Sequence, residues 1–94
     1  RNEMFRLVTE LAHHREGELA DDMAAYWVEH DHIHIDADAR AAQWCEIDLD
    51  TGFATQTLCD PAGFNEWVLD AKVDLAASDE EERAVVIPVA VRRR

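Results

Sequence analysis

The sequence predicts one α+β domain, in which an N-terminal helical hairpin packs on a curved four-stranded antiparallel sheet. Apolar residues recur every three or four positions through residue 30, but at alternate positions beyond residue 41. The chain has 94 residues, of which 48% are hydrophobic, and this size and composition are typical of a single packed domain. Helices followed by strands, without alternation of the two, favour the α+β class.

Two helices account for the first thirty residues. Asn2 is the expected cap of the first helix, and Gly17 is expected to supply a left-handed exit after residues 13–15. The apolar stripe of this helix consists of Met4, Leu7, Val8, Leu11 and Ala12. The second helix follows after a short loop, and its stripe consists of Leu19, Met23, Tyr26, Trp27 and His30. The short loop makes the pair a helical hairpin.

The rest of the chain is predicted to form four strands joined as a meander. Turn sequences at 50–52 (DTG) and 60–63 (DPAG) separate the first three strands. Pro88 has no amide donor, so the last strand should lie at an edge of the sheet or carry a bulge. The expected geometry resembles the cystatin and nuclear-transport-factor folds, with an open sheet wrapped around the helices. The predicted strands are 41–49, 53–59, 66–75 and 84–92.

The charge of the chain excludes several classes of partner. Nine Lys and Arg residues against 21 Asp and Glu give a formal net charge of −12. Nucleic acids and anionic membranes would be repelled by such a domain, so direct contact with either is not expected. No apolar run approaches the roughly 20 residues that a membrane-spanning helix needs.

Three histidines alternate in the sequence EHDHIHID, which raises the question of a metal site. In a strand, His30 and His34 would have Cα atoms about 13 Å apart, so three imidazoles could not surround one ion. His32 and His34 remain the candidate ligands, and a third would have to come from elsewhere, for example Asp36, Asp38 or Glu46. We favour the simpler interpretation, in which His30 closes the second helix and the other two lie in a polar connector. No metal or other cofactor is expected.

A small-molecule pocket between helices and sheet is the alternative to a purely structural core. Such a pocket would pair His30 with Asp70 as an acid–base couple and would be lined by the three tryptophans. The simpler interpretation places the tryptophans in the core and Asp70 on the wet face of the sheet. The candidate pocket residues are Trp27, His30, Trp44, Trp67 and Asp70. The three glycines are too widely spaced for a phosphate-binding loop, and no catalytic residue is predicted.

One long stretch is similar to a known family. The residues that carry this similarity are DPAG at 60–63, Trp67, Ala71, VDLAASDE at 73–80 and AVV at 84–86. With these residues, the stretch resembles a C-terminal region of unknown function in actinobacterial DEAD/DEAH-box helicases. The opening RNEMFRLV and EHD at 29–31 resemble the helical part of that region. The histidine triplet departs from the usual sequence of the family, which argues further against a metal site.

The resemblance implies that the chain is a C-terminal piece of a larger, cytoplasmic helicase, with the ATP-dependent motor located upstream. No functional residue of the family can be carried over to this sequence. Residues 1–94 are therefore expected to form a non-catalytic accessory domain that contacts the helicase core or another protein. Its oligomeric state is left open. The alternative function is a pocket-bearing domain that binds or converts a small apolar molecule.

Overall fold

The computed structural model describes residues 2–48, 50–74, 76, 78, 80 and 85–94. Two α-helices come first, α1 (Asn2–His13) and α2 (Ala20–Glu29), and a short 3-10 helix (Ala42–Trp44) precedes the sheet. The strands are β1 (Cys45–Asp48), β2 (Phe53–Leu58), β3 (Trp67–Val73) and β4 (Val86–Arg93). No helix among these residues is long and apolar enough to cross a membrane.

The four strands form one antiparallel meander in the order β1-β2-β3-β4, which confirms the predicted α+β class. Ala54 of β2 lies opposite Ala71 of β3, and Gln56 lies opposite Leu69. Because side chains alternate along a strand, these residues share the face on which the helices pack. Helix α1 contacts β2 and β4, and α2 contacts β4.

The space between the helices and the sheet is filled with side chains. The largest of them are at most 2% exposed, which is the packing expected of a single well-ordered core. They come from both helices and from the two central strands: Met4, Val8, Met23, Tyr26, Leu58 and Leu69. Trp67 is also part of this cluster and is 7% exposed.

The prediction for Pro88 is confirmed in both of its forms. Strand β4 is an edge strand, and its register against β3 shifts, because Asp70 lies opposite Ala90 whereas Ala71 lies opposite Pro88. Val89 is therefore an extra residue, a bulge next to a proline that has no amide to offer. The amide of Val91 donates to Asp22 Oδ2 of α2 at 3.0 Å. A proline, a bulge and a helix side chain thus protect this edge from pairing with other chains.

The observed element boundaries differ locally from the predicted ones. Residues 42–44 turn as a 3-10 helix and do not extend β1, because the Trp44 amide donates to the carbonyl of Ala41 at 3.0 Å. Helix α1 ends at His13, so Gly17, at φ +122°, lies in the loop, where its carbonyl accepts the Ala20 amide. The cap predicted for Asn2 depends on its side chain, which lies outside the described part of the structure.

Candidate functional site

The end of α2 brings several polar groups together around His30. The backbone of His30 leaves the helix in an extended conformation, and its amide donates to the Tyr26 carbonyl at 2.9 Å. Its side chain is only 8% exposed, and its ring centroid lies 5.0 Å from that of Tyr26. The Nε2 atom lies 3.7 Å from Asp60 Oδ2 and 3.9 Å from Glu29 Oε2. The ring is thus placed between two carboxylates, one of which is fully buried.

The buried carboxylate of Asp60 organises the loop between β2 and β3. Its two oxygens accept the amides of Phe64 at 3.1 Å and Asn65 at 2.7 Å. Asn65, at φ +51°, returns a contact, because its side-chain oxygen accepts the Asp60 amide at 3.2 Å. These bonds fix the loop, in which Phe64 is 68% exposed.

Glu29 connects the end of α2 to both central and edge strands. Its carboxylate accepts the indole N–H of Trp67 at 3.0 Å and a guanidinium N–H of Arg93. These two contacts, that of Trp67 first, lower the pKa of Glu29 below its ordinary value. Arg93 also lies over the Trp67 ring, with its Cζ atom 5.1 Å from the ring centroid, and reaches Glu66 at 3.6 Å.

Tyr26 and Trp27 also belong to the group of side chains around His30, which we call the His30 cluster and which includes Glu29, Asp60, Trp67 and Arg93. The Tyr26 hydroxyl donates to the His32 carbonyl at 2.7 Å. Burial raises the pKa of this phenol well above its ordinary value, and the nearby Asp60, Cys59 and Asp31 add to the effect. Arg15 lies 3.9 Å above the Trp27 ring, which also meets the Tyr26 ring edge to face at 5.1 Å. The Trp27 indole N–H is buried without a hydrogen-bond partner among the described residues.

The structure brings together three of the five predicted pocket residues. Trp27, His30 and Trp67 all surround or border Tyr26. Trp44 lies in the 3-10 helix before β1, and the ring contacts of Tyr26 found among the described residues do not include it. Asp70 faces the other side of the sheet, where it accepts hydrogen bonds from Thr55 at 3.0 Å and Arg92 at 2.6 Å. The carboxylates that approach His30 are therefore those of Asp60 and Glu29, and not that of Asp70.

His32 and His34 lie in the irregular segment that follows α2. Their rings stack with centroids 5.4 Å apart, and the Nδ1 atom of His32 lies 2.7 Å from Asp31 Oδ1. His34 approaches Asp36 at 3.7 Å, and its amide donates to the carbonyl of Cys59 at 2.8 Å. Within the described part of the chain, no group of three or more His, Cys, Asp or Glu side chains is arranged to hold a metal ion.

Three residues around His30 were not predicted from the sequence, namely Asp60, Glu29 and Arg93. A signal existed for Asp60, because an aspartate at the first position of a DPAG turn commonly accepts amides from the residues that follow. Glu29 and Arg93 are 64 positions apart, and no local pattern links them. Their contact depends on how α2 lies against β4.

A second feature is an open groove of about 350 Å³ between the end of α1, the α1–α2 loop and the start of β4. We name it the acidic groove. Its apolar lining residues are Leu7, Leu11, Leu19 and Pro88, and its acidic ones are Glu10, Glu16 and Glu18. His14 and Gly17 complete the lining. The groove therefore joins an apolar floor to three exposed carboxylates.

Comparison with known proteins places the chain in a family. No curated protein and no solved structure matches it. One family model, described as Domain of unknown function (DUF3516), matches residues 1–91 and thus nearly the whole chain. The packed α+β domain with its His30 cluster and acidic groove therefore belongs to this family of domains of unknown function (DUF3516).

Proposed function

We propose that this domain is a non-catalytic accessory module of a DEAD/DEAH-box helicase that docks through its acidic surface on a basic protein surface. The sequence resemblance of residues 60–86 supports a helicase parent, and the helicase core is the partner we favour. The observation that carries the docking role is the way charge is distributed over the domain.

Six of the seven Lys and Arg side chains that the structure describes contact other groups of the domain itself. Arg6 pairs with Glu3 at 3.3 Å, and Arg94 donates to the Thr57 hydroxyl at 2.9 Å. Arg40 lies over the ring of Phe5. Arg15 likewise lies over the ring of Trp27. Arg92 forms an ion pair with Asp70, and Arg93 forms one with Glu29. These contacts set part of the positive charge against the domain's own groups, so that acidic groups prevail at the surface.

Many carboxylates, by contrast, face solvent. Among the described residues, the exposed carboxylates with no role in the contacts above include Glu10, Glu16, Glu18, Asp21, Asp38, Glu46, Asp50 and Glu80. A surface of this kind attracts basic protein surfaces and accelerates association with them, and the attraction weakens as salt screens it. A helicase core must present basic surface to the phosphates of its substrate. The domain would therefore compete with nucleic acid for that surface.

The filled interior supports docking over the alternative of a small-molecule pocket. Tyr26, Leu58 and Leu69 are 0% exposed and occupy the space that a cone-shaped pocket would require. Ligand pockets are concave sites lined by accessible apolar side chains and a few polar groups. The depressions at the end of α2 and at the acidic groove are instead open to the surface.

The test compares the parent protein with a variant that lacks residues 1–94. We expect the deletion to raise nucleic-acid affinity at low salt by several fold, and the difference to shrink near 0.5 M salt, because screening weakens the competing contact. ATPase activity at fixed nucleic-acid concentration provides a second measurement. If the truncated protein matches the parent in affinity and in ATPase activity at every salt concentration, the proposal is wrong.

A further inference from the structure

We propose that the acidic groove binds a protein segment in which an arginine or lysine lies next to an apolar side chain. This inference rests on the proposed function and gives the docking surface a location and a chemistry. It places the contact where α1, the α1–α2 loop and β4 meet.

The floor of the groove is apolar and half-buried. Leu7 and Leu11 are four positions apart on α1, so they lie on the same face of that helix. Leu19 precedes α2, and Pro88 of β4 contributes a ring and no amide donor. Such a floor suits the methylene stem of a long side chain, which gains by leaving water while its charged end remains near the rim.

The rim is acidic, and the fold itself gains little from it. Glu10 lies in the last turn of α1, where the helix dipole disfavours a negative charge. Glu16 and Glu18 follow within the loop, so three like charges share one opening. No Lys or Arg is among the lining residues, all of which lie in the described part of the chain. The carboxylates thus remain available to an external guanidinium or ammonium group.

The negative charge of the rim also disfavours other occupants of the groove. A second copy of this chain would bring another net charge of −12 to the contact. Phosphates, anionic lipid headgroups and carboxylate ligands would be repelled by the same rim. An arginine or lysine stem between apolar neighbours satisfies both the floor and the rim, and arginine can in addition bind a carboxylate with two parallel N–H donors.

The first test titrates the 94-residue chain with the peptide acetyl-Leu-Arg-Leu-Arg-amide and follows backbone amide signals by NMR. We expect signal shifts centred on residues 7–19, with weak affinity that is lost in high salt. Two matched peptides separate the contributions. Replacement of both arginines by glutamine removes the charge, and replacement of both leucines by glycine removes the apolar neighbours. Either change should weaken binding at least about threefold if both parts of the groove are used.

Two triple variants locate the contact. The variant Glu10→Gln/Glu16→Gln/Glu18→Gln removes the rim charges, and Asp38→Asn/Glu46→Gln/Asp50→Asn removes three exposed charges outside the groove. We expect the first to weaken peptide binding about tenfold and the second less than twofold, because nearby charges dominate at moderate salt. Equal losses in both variants, or shifts centred elsewhere, would overturn the groove assignment.

The same variants in the parent protein separate this inference from the proposed function. If deletion of residues 1–94 alters nucleic-acid affinity but the groove variant does not, docking stands and its assignment to the groove is wrong. If the peptide binds in the groove and the deletion has no effect, the groove inference stands and the proposed regulation of the helicase is wrong.

Discussion

Asp60 is the clearest example of a single residue that organises a surface of this domain. Its carboxylate is fully buried, yet both of its oxygens are occupied, because they accept the amides of Phe64 and Asn65. A buried carboxylate is tolerated when such hydrogen bonds replace its contacts with water. Its position beside His30 links the β2–β3 loop to the end of α2.

The change Asp60→Asn should destabilise the domain by about 2 kcal/mol. The amide side chain keeps one acceptor oxygen but turns an NH2 group toward a backbone donor, so one of the two amides loses its partner. Urea unfolding followed by tryptophan fluorescence measures the effect.

The matched control for this prediction is Asp36→Asn. Asp36 is exposed and accepts one amide, that of Ala39, with a single oxygen, a contact that asparagine can preserve. We expect a change below about 0.5 kcal/mol. Equal effects of the two substitutions would contradict the role assigned to the second oxygen of Asp60.

At the scale of elements, the turn between β1 and β2 is attached to the end of β3. The carbonyl of Gly52 accepts the Val73 amide at 2.6 Å, and the backbone of Gly52 adopts φ +75°. A Cβ atom at this position would lie 3.3 Å from the Val73 carbonyl oxygen. The glycine is therefore required both by the turn and by the close approach of a neighbouring strand.

The change Gly52→Ala should cost about 2–3 kcal/mol, of which about 1–2 comes from the positive φ and the remainder from the contact with backbone. The β3 carbonyl cannot move without disturbing its strand. Thermal and urea unfolding of the variant measure the loss.

Gly63→Ala is the control, because Gly63 has a similar φ of +79° but no atom within 4 Å of its ideal Cβ position. It should cost only the conformational part, about 1–2 kcal/mol. If Gly63→Ala is as destabilising as Gly52→Ala, the close approach to β3 contributes nothing.

At the scale of the whole molecule, charge repulsion opposes the packed core. The formal net charge of −12 is distributed over only 94 residues, and many of the carboxylates are exposed. Intramolecular ion pairs, such as Arg92 with Asp70 and Arg93 with Glu29, stabilise the folded domain by attraction. Because exposed pairs contribute little, repulsion should dominate the response to salt.

We therefore expect Tm to rise by about 5 °C between 20 and 500 mM NaCl, which corresponds to about 1 kcal/mol for a domain of this size. The triple groove variant raises the formal net charge from −12 to −9, so it should be more stable at low salt and respond less to added salt. A Tm that falls with salt would mean that the internal ion pairs outweigh the repulsion.

Helix and strand identities could be predicted because their signals are local. The spacing of Met4, Leu7 and Val8 fits one helix face. Pro88 alone predicted an edge position or a bulge for the last strand, and the structure has both. The burial of Val68, by contrast, could not be predicted from alternation. Val68 lies between Trp67 and Leu69, so alternation alone would place it on the same polar face as Asp70. It is nevertheless 0% exposed, and its cross-strand neighbour Thr57 is only 2% exposed.

The sequence by itself determined the class of fold and the sign of the charge, because periodicity and composition need no knowledge of distant contacts. Only the tertiary structure decided that His30 meets Asp60, that Glu29 meets Arg93, and that three glutamates share one groove. Those contacts join residues up to 64 positions apart. Their formation depends on strand register and on the direction in which each helix crosses the sheet, and no short stretch of sequence encodes either.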